Sequence, residues 1–498
     1  MSAETVRIQL EPSGMVVEVA HGASLSSPLS LHGIEFPCGG TGLCGGCRVR
    51  VLHRSLPITQ QDSLFFSGED LASGWRLACQ AIADVPLVLE CEQWHMEILS
   101  DNSALSGRGK QGLGIAIDLG TTTIAAQLVD LASGNVLGVE TELNPQAPFG
   151  SDVMSRIRAA LSGVNLTTMV RASIGSMIAR LARHREQEVA EVLLVGNSVM
   201  HHLFSRLDVE PLSHAPFHSP NLGEQRFSAA QLDWSLPPSC SIRFARCLGG
   251  FVGSDILAGI IAVGMPTSKE MIALVDLGTN GEIAIGNRER ILYASTAAGP
   301  AFEAASIRMG MRASSGAISH VSNSSGEIRA TVIGDQEPHG ICGSGVVDAV
   351  AVGLETGAIL PSGRIADGTK LFPVAGSVVL YQADIRELQL AKAAVAAGFG
   401  LLLRSLGAQP EDLKRIHLAG AFGNYIQAAS AISIGLLEFS PQRIVPSGNT
   451  ALRGAKMLLL SVNEPPLPTM EHIALASDAD FQDEFVKCMN FPQVQQPV

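Results

Sequence analysis

Ile115-Ala-Ile-Asp-Leu-Gly-Thr-Thr-Thr123 and Ala273-Leu-Val-Asp-Leu-Gly-Thr-Asn-Gly-Glu282 decide how most of this chain folds. Each runs from an apolar strand into a tight turn. The surroundings repeat as well. Gly114–Leu137 reads strand, turn, strand, turn, strand, and Ile272–Ala294 reads the same way. Later in each half a strand enters a Gly-rich turn before a helix, at Val192–Val199 and at Arg415–Tyr425. Two copies of one αβ pattern predict two related lobes with a cleft between them.

The turns suit phosphate. A glycine turn exposes backbone N–H donors, and threonine hydroxyls add more. Gly120, Thr121, Thr122 and Thr123 form the first candidate cradle, and Gly278, Thr279, Asn280 and Gly281 the second. Asp118 and Asp276, at the strand ends, are candidates to hold magnesium directly or through water. Glu282 and Glu303 are candidates to position water or the metal. A third segment, Gly420-Ala421-Phe422-Gly423, follows the strand Ile416–Leu418, where its glycines let a flat base approach the backbone. A duplication without a ligand is the competing reading, but the order of the three segments favours a nucleotide. No G-x-x-x-x-G-K-[ST] string occurs, so this is not a P-loop chain.

Upstream lies a cysteine cluster. Cys38, Cys44, Cys47 and Cys79 have five, two and 31 residues between them. The loop between the first three is filled with glycines (Gly39, Gly40, Gly42, Gly45 and Gly46), which let backbone amides point inward at sulfur. A three-cysteine loop plus one distant cysteine favours an iron–sulfur cluster. A zinc knuckle, which prefers two short cysteine pairs, is the alternative. Val6, Ile8 and Leu10, a turn at Pro12–Gly14, and Val16–Val19 predict a hairpin ahead of the loop.

These readings divide the chain into a cysteine-bearing domain (1–95), a polar Gly/Ser-rich linker expected to be flexible (96–112) and a two-lobed domain (113–498). The net charge of −13 argues against nucleic acid as a partner. The N-terminus has no basic, apolar leader pattern. Ile256–Met265 and Ala393–Leu403 are apolar but short of the ~20 residues a membrane span needs, and are expected to be buried helices. A soluble, cytoplasmic protein with no membrane contact is the expectation. His201 and His202 are adjacent, so on a helix they point apart, which favours core packing over joint metal ligation.

The order of phosphate turn, phosphate turn and adenosine turn resembles the actin, Hsp70 and sugar-kinase superfamily. This implies an RNase H-like ATPase fold with Mg2+. The cysteine loop resembles 2Fe–2S ferredoxins, which implies an α+β β-grasp domain. The chain as a whole resembles the reductive activators of corrinoid proteins. Beyond the cysteines, Gly196–His202, Ala297–Glu303, Gly310–Ala313, Gly340–Asp348, Leu418–Tyr425 and the tail Phe481–Pro492 carry that likeness. It implies ATP-dependent, one-electron reduction of cobalt(II) to cobalt(I) in the corrinoid protein of a methyltransferase system. It also implies an external low-potential electron donor and a homodimer. On this reading Tyr293–Ala298 approaches the corrin and Ser295 reaches cobalt, against the plainer reading of a loop serine with local partners. Larger members of the family have a further domain between linker and ATPase, and the short spacing here implies its absence. Two other functions compete: an ATP-dependent electron donor to a different low-potential metalloenzyme, and a nucleotide-gated, redox-sensing scaffold.

Overall fold

Val6, Ile8 and Leu10 alternate with polar neighbours, and all three are buried. They lie on β1 (Thr5–Glu11), which pairs antiparallel with β2 (Met15–Ala20) as the expected hairpin. Strands β3 (Arg48–His53), β4 (Trp75–Leu77) and β5 (Leu87–Glu90) complete a sheet of order β2-β1-β5-β3-β4, with β1 and β5 parallel. This is the β-grasp arrangement. The computed structural model describes residues 5–11, 15–30, 42, 47–90, 105–107, 109–150, 152–215, 217–278, 280–324, 326–423, 425–461, 466–475 and 478–493. Cys38, Cys44, the loop glycines other than Gly42, and Thr279 lie outside them.

The first lobe is a six-stranded sheet of β6 (Leu113–Leu119), β7 (Thr123–Asp130), β8 (Val136–Leu143), β9 (Val189–Gly196), β10 (Gln225–Phe227) and β11 (Ser241–Phe244). The second lobe opens with β12 (Met271–Leu277), β13 (Gly281–Gly286) and β14 (Arg290–Thr296). Two small sheets follow, β15 (Ala317–Ser324), β16 (Glu327–Val332) and β17 (Gly340–Ile341), then β18 (Leu371–Ala375) and β19 (Val378–Tyr381). The main sheet resumes with β20 (Leu413–Ala419), β21 (Ile444–Gly448) and β22 (Thr469–His472). Strand order confirms the duplication. The first lobe runs β11-β9-β6-β7-β8 and the second β21-β20-β12-β13-β14, with matching parallel and antiparallel pairings. Asp118 pairs with Val195 and Asp276 with Ala419, at equivalent places in the two sheets.

Ala393–Leu403 lies within the helix Gln382–Leu406, whereas Ile256–Met265 is helical and buried to Ala262, where the helix Ser254–Ala262 ends ahead of a turn at Gly264. The lobes interlock through Thr450–Leu460, a helix that leaves the second sheet yet packs on the first. It crosses Ser254–Ala262 at Gly454, where a Cβ would stand 1.9 Å from the Ala258 carbonyl oxygen. Only glycine permits that approach. Among the described residues no helix is long and apolar enough to cross a membrane.

The linker departs from expectation. From Leu105 onward its described residues lie along the first lobe, where the Gly107 amide donates to the Ser133 carbonyl at 3.0 Å and Lys110 pairs with Glu191. A Cβ on Gly107 would sit 2.0 Å from the Ala132 carbonyl oxygen. Glycine here serves close backbone contact, and the composition alone reads the same as slack.

Candidate functional site

The two glycine turns and Gly420 of the third segment face one pocket. Asp118, Gly120 and Thr121–Thr123 line it from the first lobe, and Asp276, Gly278, Asn280 and Glu282 from the second. Gly420 and Glu303 also line it. Gly420 adopts φ +84°, and a Cβ there would meet the Asp276 Oδ1 at 2.6 Å. Its backbone therefore closes against the second turn in a way no other residue allows. Phe422 points elsewhere, stacking on Phe302 with centroids 4.9 Å apart. Gly423 packs back on its own strand at Leu418.

Several residues that the sequence reading passed over complete the pocket. Two asparagines begin helices and brace the first lobe's strand-end Asp118 and its phosphate turn. Asn197 Oδ1 accepts from the Met200 amide at 2.9 Å, leaving Nδ2 to donate to Thr121 Oγ1 at 2.9 Å. Asn449 Oδ1 accepts from the Leu452 amide at 2.8 Å, and its Nδ2 donates to Asp118 Oδ2 at 2.9 Å. From outside, Asn144 Nδ2 donates to the Gly120 carbonyl at 2.8 Å and Arg156 Nη2 to the Thr121 carbonyl at 3.0 Å. Burial pulls the Arg156 guanidinium down to about 9. A fifth pocket carboxylate is Asp255, in the first turn of Ser254–Ala262. Gly253 ahead of it must be glycine, because a Cβ would come within 2.2 Å of the Gly196 carbonyl oxygen.

The pocket gathers acid. Burial, then the charge of Asp118, pushes Asp255 up to about 8. Burial, again with Asp118 adding, pushes Asp276 to about 7. Asp118 is raised by burial to about 6, against the Asn449 hydrogen bond, which lowers it. Burial raises Glu282 well above the carboxylate range, with Asp255 and Asp276 adding to it. Carboxylates this close favour a cation, which would restore their ordinary acidity. No three acidic, His or Cys side chains among the described residues form a group that could hold a metal ion directly. Glycine turns for phosphate beside carboxylates for a divalent cation form a donor set suited to a magnesium nucleotide.

Ser295 lies on β14, opposite Glu282 in register, and its hydroxyl donates to Glu282 Oε1 at 3.3 Å. It is a strand residue joined to the pocket's acid. Tyr293 is buried, with its hydroxyl donating to the Leu248 carbonyl at 2.9 Å. His201 and His202 are both fully buried core residues. The ring of His202 sits between the Ser198 carbonyl and Ser219 Oγ, and that of His201 faces the Gly223 carbonyl, so the two point to different partners.

In the N-terminal domain, the Arg48–Leu77 pairing of β3 with β4 brings Cys47 beside the turn that carries Cys79. The Ala78 amide donates to the Cys47 carbonyl at 2.8 Å, and the Cys79 amide approaches Cys47 Sγ at 3.5 Å. Gln80 Nε2 approaches Cys79 Sγ at 3.4 Å. Donors aimed at thiolate sulfurs are what a bound cluster's negative charge requires. Gly42 adopts φ +77° against Gln80.

Comparison with known proteins agrees with this geometry. Residues 8–84 match the 2Fe–2S iron–sulfur cluster binding domain. Residues 113–268 match the RACo middle region, and residues 270–497 match the C-terminal domain of RACo, the ASKHA domain. The middle region therefore falls on the first lobe itself, so the expected absence of a further family domain after the linker does not hold. The corrinoid activation enzyme RamQ of Eubacterium limosum is 37% identical over 420 residues, covering 75% of this chain and 69% of the relative. A Methanosarcina barkeri [Co(II) methylated amine-specific corrinoid protein] reductase is 26% identical over 421 residues, covering 75% and 76%. The solved structure titled a reductive activator for corrinoid, iron–sulfur protein superposes with a TM-score of 0.67 at 26% identity, covering 98% of each chain.

Proposed function

Because this chain belongs to the RACo family of corrinoid-protein activators, we propose that it reduces the cobalt(II) form of a corrinoid protein to cobalt(I), one electron at a time, in a step that requires Mg·ATP. The observation that carries this reading is the cleft lined by five carboxylates between two glycine turns, on the same chain as a ferredoxin fold. A 2Fe–2S cluster held by Cys38, Cys44, Cys47 and Cys79 supplies one-electron redox chemistry. The amide of Cys79 and the side chain of Gln80 offset the charge that reduction adds at the sulfurs. Gly120, Thr121, Thr122, Thr123, Gly278, Thr279, Asn280 and Gly281 cradle the phosphates, and Gly420 admits the adenosine. Asp118, Asp255, Asp276 and Glu282 hold the hydrated magnesium.

Nucleotide is needed because cobalt(I) lies at very low potential. An uphill gap of about 150 mV costs about 3.5 kcal/mol for one electron. Mg·ATP can offset that only by binding more tightly when the corrinoid partner is docked in a reducible state. The reductant is an external low-potential donor, and the working form is a homodimer in the cytoplasm.

The test is anaerobic. The protein is mixed with a cobalt(II) corrinoid methyltransferase protein and a low-potential reductant, and the visible spectrum is followed with and without Mg·ATP. The cobalt(I) band is expected only when protein and Mg·ATP are both present. Equal reduction without nucleotide overturns the reading.

A further inference from the structure

Between the nucleotide pocket and the ferredoxin domain lies one short piece of chain, Phe302–Arg308. At one end it belongs to the pocket. Glu303 lines the pocket, and Phe302 stacks on Phe422 of the adenosine turn. At the other end it belongs to the interdomain contact. Arg308 Nη2 donates to the Leu64 carbonyl at 2.8 Å, and Arg48 Nη2 donates to the Arg308 carbonyl at 2.6 Å. The bonds are reciprocal, and Arg48 is the residue after the cluster ligand Cys47. The Arg308 guanidinium also lies 4.3 Å from the centroid of the Tyr381 ring, and its amide donates to Asp384 Oδ1 at 2.9 Å. Arg48 in turn lies over the Phe66 ring.

The intervening residues have no slack. Ala304 is buried at φ +57°, an uncommon conformation for a residue with a Cβ. Ala305 and Ile307 amides donate to the Pro300 and Ala304 carbonyls at 3.1 and 3.3 Å. The Ala304 carbonyl packs so closely on Gly310 that a Cβ there would stand 1.9 Å away. Close-packed turns therefore connect Glu303 to Arg308.

We propose that Arg308 is a latch that parks the ferredoxin domain on the second lobe, and that Phe302–Arg308 couples this latch to the pocket, so that Mg·nucleotide binding releases the domain. Parked, the strand beside Cys47 is held against this chain's own lobe. Released, it is free to face a partner. The latch consists of a few exposed polar contacts, so a modest bias suffices to open it. Arg308 is a positioning residue, and the proposal rests on the nucleotide reading of the cleft.

The test uses full-length, cluster-loaded protein and a non-hydrolysable Mg·ATP analogue. Small-angle scattering follows domain release and calorimetry follows nucleotide affinity. In the wild type the analogue is expected to increase the radius of gyration. Arg308→Ala is expected to be expanded without nucleotide, to expand no further with it and, by reciprocity, to bind the analogue several-fold more tightly. Arg48→Ala opens the same latch from the ferredoxin side and should behave alike even if Arg308→Ala folds poorly. A wild type that binds the analogue without expanding overturns the proposal, as do latch variants with unchanged affinity. A wild type that binds no nucleotide overturns the reading of the cleft, and the coupling falls with it. Failure to form cobalt(I) in the reduction assay, with the scattering result intact, counts against the electron-transfer reading alone.

Discussion

Asn449 spends its two amide ends on different tasks, one capping a helix and the other holding Asp118. Replacing it with alanine removes the hydrogen bond that lowers the pKa of Asp118. It is expected to weaken Mg·ATP binding about tenfold, the scale of a lost hydrogen bond to a charged group of about 1.5 kcal/mol. Titration calorimetry checks this. On the proposed magnesium reading, Asp276→Asn removes a carboxylate charge from the cleft while keeping the shape. It is expected to lower ATP-dependent cobalt reduction by about 100-fold or more while leaving the cluster spectrum unchanged, as a stopped assay with a spectrum of the same sample would show. The two residues differ in how plainly the sequence declares them. Asp276 sits in a turn whose purpose is visible locally. Asn449 reads as an ordinary helix cap, and Asp255 as an ordinary acid in a first helical turn. Their second roles exist only because residues from separate elements meet in the cleft, and local patterns do not encode such meetings.

Elements follow local physics more closely. The duplicated strand pattern was readable because alternation and turn chemistry act within a few residues, and the matching sheets bear it out. The iron–sulfur domain is legible for the same reason, since cysteine spacing is a local quantity, and residues 8–84 match such a domain. From residue 105 the linker's composition suggests slack where the backbone packs closely, because glycine serves both equally well. The crossing of Thr450–Leu460 over Ser254–Ala262 tests the second use of glycine. Gly454→Val places a branched side chain against the Ala258 carbonyl and is expected to cost about 2–3 kcal/mol of stability. Chemical denaturation would show it as a lower midpoint with an unchanged slope. A change confined to nucleotide affinity, with stability intact, would mean that the lobes slide past each other at this crossing more easily than their packing indicates.

For the whole molecule, the cleft makes stability and ligand affinity functions of pH. Asp118, Asp276 and Asp255 titrate at about 6, 7 and 8 in the fold, against 3.8 for an unperturbed aspartate. The folded chain therefore binds more protons than the unfolded chain between about pH 4 and 8, and without divalent cation its stability falls as pH rises through that window. Thermal unfolding in a chelator should show this slope, and Mg·ATP should flatten it. The acid cleft thus doubles as a proton store. Near neutral pH the arrival of magnesium discharges that store into the solvent. The measured heat of nucleotide binding should then change with the ionisation enthalpy of the buffer, and a weakly buffered sample should acidify on mixing. In a cell, a drop in pH would compete with magnesium for these carboxylates and slow reactivation with no change in the supply of ATP or electrons.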